Sequence, residues 1–122
     1  MKFYKFASTK GNFVTHFNSH FFMNKIIQTN SEAQIALMTL EENGVVGYHQ
    51  AVVPQMLVIL DGEGYVRSNS SDFTFIKKGE AVLWDKDEWH ETKTKTGLIA
   101  LVIESKEIET NCILMDELFI KM

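Results

Sequence analysis

Apolar and polar positions alternate along this chain in short runs, and turn residues break the runs about every 8–12 positions. Residues 3–6 and 13–17 are short aromatic runs parted by the turn cluster Ser8 to Asn12, and they read as two strands. Residues 21–29 are apolar and β-branched enough for another strand. Ala33–Leu40 lies between the turns Asn30-Ser31 and Glu42-Asn43-Gly44, and its length favours a buried strand. In residues 45–53, period-two alternation places Val45, Gly47, His49, Ala51 and Val53 on one face. Pro54 cannot donate to a ladder and marks a corner. Residues 55–60 are mostly apolar on both faces, as in a central strand. Asp61-Gly62-Glu63-Gly64 then predicts a tight hairpin. Residues 65–69, 73–76, 80–84, 88–93 and 98–103 follow as strands, with Glu88, His90 and Thr92 on one face. Beyond Ser105 neither period fits, and a last strand or irregular segment followed by a short C-terminal helix is expected.

About ten short strands with almost no helix predict an all-β sandwich or barrel. No repeat, linker or low-complexity stretch divides the 122 residues, so residues 1–122 form one domain. Six of the nine phenylalanines precede residue 23. So much aromatic surface either closes one end of the core or packs on a second subunit.

Composition narrows the partners. The formal charge is −4 and no cluster of Lys and Arg exists, which argues against nucleic acid. No run reaches 18 apolar residues, which argues against a membrane span. The residues at the N-terminus lack the apolar stretch of a secretory signal. The single cysteine, Cys112, excludes an internal disulfide and fits a reducing, cytoplasmic setting.

Two stretches carry one histidine each in a strand-like setting: 47–55, with His49, and 79–92, with His90. Together they resemble the two signature motifs of the cupin superfamily. The first motif runs Gly, five residues, His-x-His, three or four residues, Glu, six residues, Gly. Here Gly44, His49-Gln50-Ala51, Gln55 and Gly62 stand in that order, and Gln55 to Gly62 keeps the spacing. The second runs Gly, five residues, Pro-x-Gly, two residues, His, three residues, Asn. Here Gly79, Asp85-Lys86-Asp87, His90 and Thr94 all keep the spacing. The stretch 44–104 also looks like a group of small single-domain bacterial cupins of unsettled activity.

The resemblance implies a cupin-type double-stranded β-helix, or jelly-roll barrel, with 44–104 as the core barrel and residues 1–22 as N-terminal strands in a homodimer contact. It implies a divalent metal (Fe, Mn, Ni or Zn) at the positions of His49, Ala51, Gln55 and His90. Ala51 offers no ligand atom and Gln55 only an amide oxygen, so the set reduces to His49, Gln55 and His90. Losing the carboxylate removes one negative charge opposite a dication. Two readings therefore stand: a metal site of reduced ligand set, or a cavity with two hydrogen-bonded neutral histidines. The expected pocket is His49, Gln55, Trp84, Trp89 and His90, holding a small organic molecule. The alternative is a metal-dependent isomerase, epimerase or dioxygenase acting on a small metabolite. Tyr48 alternates away from His49, and a His16/His20 pair lacks the acidic partner of a zincin motif.

Overall fold

The computed structural model describes residues 1–6, 11–69 and 71–110, and the backbone of 116–118. Among the described residues, thirteen strands and one 3₁₀ turn, His16–Asn18, make up the regular structure. They are β1 Lys2–Lys5, β2 Asn12–Val14, β3 Phe21–Met23, β4 Gln28–Thr29, β5 Ala33–Leu40, β6 Val45–Gln50, β7 Gln55–Ser68, β8 Thr74–Lys77, β9 Glu80–Trp84, β10 Trp89–Lys93, β11 Leu98–Ser105, β12 Ile108–Glu109 and β13 Asp116–Leu118. The expected C-terminal helix falls mostly outside the described residues; within them, 116–118 is strand and pairs with β1. Among the described residues no helix is long and apolar enough to cross a membrane.

β7 is the spine. Its first half pairs with β9 and β11, and its second half with β8 and β10, all antiparallel. One layer therefore runs β13-β1-β9-β7-β11-β5 and the other β8-β7-β10-β6. The expected hairpin at 61–64 does not form, because the strand continues straight through it. The two glycines serve close approach instead of reversal. A Cβ on Gly62 would lie 2.3 Å from the Gly97 carbonyl oxygen, and one on Gly64 2.5 Å from that of Lys93. Gly62 also has φ +79°, open to glycine without strain.

A bulge opposite Ile99/Ala100 leaves Leu60 without a register partner on β11. The extra residue moves the inward parity by one. Leu57 and Ile59 face inward before it, and Val66 and Ser68 after it. Between the layers lie Phe3, Leu57, Ile59, Val66, Ile76, Val82, Trp84, Leu98, Ala100 and Val102. A second apolar cluster on the outer face of the first layer joins Met56, Val58 and Ile103 to Ile26 and Ile27 of the segment before β4.

β5 is an edge strand and not the expected buried one. It pairs only with β11, turns Met38 and Leu40 to the core, and leaves Ile35 and Leu37 63% and 64% exposed. The run 21–29 is likewise divided: β3 pairs with β2 and β4 with β12.

Candidate functional site

β6 and β10 set two imidazoles against each other across one strand pair. His49 is the register partner of His90, with ring centroids 4.3 Å apart and planes at 59°. His90 is buried and His49 stands exposed at the rim. Alternation along β10 accounts for this, since His90 and Thr92 face in while Trp89, Glu91 and Lys93 face out.

The register between β10 and β6 slips after His90, so that Thr92 faces Val46 and β6 carries one extra residue near Gly47. Bulges re-aim side chains. Here the Gly47 carbonyl accepts a hydrogen bond from His49 Nδ1 at 2.7 Å. A carbonyl only accepts, so Nδ1 carries a proton, and in the neutral ring Nε2 keeps its lone pair. His90 Nδ1 is held the same way by a longer bond, 3.4 Å, to the Glu88 carbonyl. Both Nε2 atoms are thus acceptors. The slip also corrects the expected face: Val45 lies opposite Lys93, and not on the side of His49.

Trp84 lies nearly flat on His90, with centroids 4.4 Å apart and planes at 21°. It is 1% exposed, and its Nε1 is buried with no hydrogen-bond partner among the described residues. A buried indole N–H normally finds an acceptor. Gln55, half-buried at the start of β7, is the register partner of Trp84 and enters the site beside it.

Trp89 does not line the pocket. Neighbouring strand residues face opposite ways, so Trp89 stands on the outer face, 41% exposed and stacked on Tyr48 at 5.3 Å. The Arg67 guanidinium lies 4.7 Å from the Tyr48 ring and pairs with Glu91 at 2.6 Å. His16 and His20 stand at the β2–β3 hairpin in no α-helix, and Cys112 lies outside the described residues.

Ser68, which the strand pattern did not single out, flanks His90 on the side away from His49. Its hydroxyl donates to the Glu88 carboxylate, which also accepts from the Met1 ammonium at 2.8 Å and the Asp85 amide at 2.9 Å. Burial alone would raise the Glu88 carboxyl. The bonds from Met1, Ser68 and Asp85, with the charge of the ammonium, outweigh it and hold the group below its ordinary range. Burial lowers His90; the Glu88 carbonyl opposes this, the neighbouring His49 adds to it, and the Glu88 carboxylate offsets a part.

The donor set does not fit a divalent metal well. Among the described residues no three His, Cys, Asp or Glu side chains are grouped to hold one. The carboxylate beside His90 is already engaged by three donors, and position 51 is a buried alanine. Two imidazoles and an amide lack the anionic oxygen of a facial site. A surface cleft of about 570 Å³ lies elsewhere, between Ser31–Gln34, Val52, Val53 and residues 104–106.

No family model matches the chain, and no curated protein does. Solved structures match in fold. A cupin superfamily protein from Desulfitobacterium hafniense is 16% identical with a TM-score of 0.58, over 66% of this chain and 72% of that one. An RmlC-like cupin with a double-stranded β-helix fold from Methanocaldococcus jannaschii is 15% identical with a TM-score of 0.58, over 84% and 87%. A predicted oxalate decarboxylase from Thermotoga maritima is 28% identical with a TM-score of 0.53, over 62% and 64%.

Proposed function

The chain has the cupin fold, and from that premise we propose that the mouth of its barrel binds a small polar organic molecule without a resident metal. The observation that carries this reading is the buried Trp84 Nε1, which has no hydrogen-bond partner among the described residues and lies on the ring of His90. The rings of His49 and Trp84 both lie against that of His90, at 4.3 and 4.4 Å, so one indole donor and two imidazoles form one cluster, with Gln55 beside Trp84. A molecule bearing hydroxyl or amide groups, which both donate and accept, satisfies all of them. His49 at the rim gives such a molecule a way in, and His90 lies behind it.

An enzyme reading is weaker. The 4.3 Å ring separation puts both imidazoles on one side of a ligand. That suits binding better than the two-sided proton exchange of an epimerase. A dioxygenase needs a firmly held redox metal, which this donor set does not favour. The likeness to a predicted oxalate decarboxylase supports trying small carboxylic acids among the ligands.

The test is a titration with small polyols, hydroxy acids and amides at millimolar concentration, followed by NMR at the Trp84 indole N–H and the His90 ring. The reading expects saturable shifts at both, weakened at least tenfold by His49→Ala, a change at an exposed position. Shifts that never saturate, or that survive His49→Ala unchanged, would refute it.

A further inference from the structure

Two surface clefts meet on the corner that follows β6. One, about 570 Å³, runs between the start of β5 and the end of β11 and reaches Val52 and Val53. The other, about 300 Å³, is lined by Val52, Val53, Pro54, Lys86 and Lys106. They share Val52, Val53 and Lys106, so they form one continuous groove. Small-molecule pockets span roughly 300–1,000 Å³, which covers both volumes.

The corner gives the groove an apolar floor. Val52 is 73% exposed on it, and Val53 and Pro54 are half-buried. Beside this floor stand two opposite charges. Glu104 and Lys106 both line the larger cleft, two residues apart at the end of β11. Ser105 between them is buried and fixed. Its amide donates to the Pro54 carbonyl at 3.3 Å and its hydroxyl to the Ser31 carbonyl at 3.5 Å. The backbone that carries both charges is thus held in place before any ligand arrives. The two side chains do not pair with each other, and neither has a hydrogen-bond or ion-pair partner among the described residues. Glu104 is half-buried, and a carboxylate withdrawn from water without a partner is costly.

We infer that the groove binds an α-amino acid with an apolar side chain, at a site separate from the histidine pair. The ammonium pairs with Glu104, the carboxylate pairs with Lys106, and the side chain covers Val52 and Pro54. An α-amino acid carries its two charges on one carbon, which suits two opposite charges placed side by side. A simple organic anion leaves Glu104 unmatched, and a simple amine leaves Lys106 unmatched. With Glu32 on the opposite wall and Lys86 at the far end, the groove holds two charges of each sign, as a ligand of no net charge requires.

Calorimetric titration of the full chain with L-leucine and L-phenylalanine tests the inference. Two analogues serve as controls: isocaproate, which lacks the ammonium of leucine, and isoamylamine, which lacks its carboxylate. Saturable binding of at least one amino acid is expected, about tenfold weaker for either analogue. Glu104→Gln and Lys106→Met should each weaken it about tenfold, with circular dichroism unchanged. His49→Ala should leave it unchanged, which keeps this outcome apart from that of the barrel mouth. No saturation by either amino acid at tens of millimolar overturns the inference. So does an analogue that binds as tightly as the amino acid, binding indifferent to Glu104→Gln or to Lys106→Met, or binding lost with His49→Ala.

Discussion

His49 and His90 face each other across neighbouring antiparallel strands, and each ring is turned by a backbone carbonyl bonded to its Nδ1. Two residues 41 positions apart thus present two Nε2 acceptors from one strand pair. The arrangement depends on His90 staying neutral in its buried place.

That dependence has a sign in pH. Folding lowers the His90 pKa below its ordinary value of 6.5, so the unfolded chain binds this proton first. The His90 contribution is therefore undiminished above that value and is lost as pH falls through the window beneath it. Glu88 adds a second loss below 4.5, since its folded value is also depressed. Urea unfolding at pH 7.5, 6.5 and 5.5 should show falling midpoints, and His90→Gln should flatten the dependence in this range. A profile identical in the variant would contradict the assignment.

Gly64 and Gly47 should respond oppositely to alanine. A Cβ on Gly64 meets the Lys93 carbonyl at 2.5 Å, whereas one on Gly47 meets nothing within 4 Å. Gly64→Ala should cost about 1–3 kcal/mol by forcing β7 from β10. Gly47→Ala should stay within about 0.5 kcal/mol. Denaturant titration of both variants checks the pair, and equal costs would contradict the close approach of β7 to β10 at Gly64.

The two tryptophans should separate as cleanly. Trp84→Ala removes a ring packed against His90 in the core and should cost about 3–5 kcal/mol. Trp89→Ala removes an outer-face stack on Tyr48 and should cost about 1 kcal/mol. In fluorescence, Trp89→Phe should leave an emission shielded from acrylamide, and Trp84→Phe one that is quenched. The reverse order would place the wrong tryptophan in the barrel.

Much of this was legible in the sequence, and the misses have physical causes. Period-two alternation and turn spacing gave most of the strands, and the spacings from Gln55 to Gly62 and from Gly79 through His90 to Thr94 pointed to the barrel. Asp61-Gly62-Glu63-Gly64 misled because glycine serves reversal and close approach equally well, and only the partner strands tell which. Cutting β7 there hid its second half and with it Ser68, whose place beside His90 depends on pairing with β10. The bulge near Gly47 is a matter of register, invisible to a simple alternation, so Val45 was put on the wrong face. Trp89 was grouped with His90 by adjacency, although alternation itself argues for opposite faces. The burial expected of β5 failed because an apolar strand at an edge reads like one at a centre.

The central claim is that His49 and His90 serve a polar ligand and not a resident metal. The most direct measurement is metal analysis of the untagged protein purified without chelator, beside His49→Ala and His90→Ala. The account predicts Fe, Mn, Ni and Zn well below one ion per chain, and no difference among the three proteins. One ion per chain in the unaltered protein, lost in both variants, would contradict it.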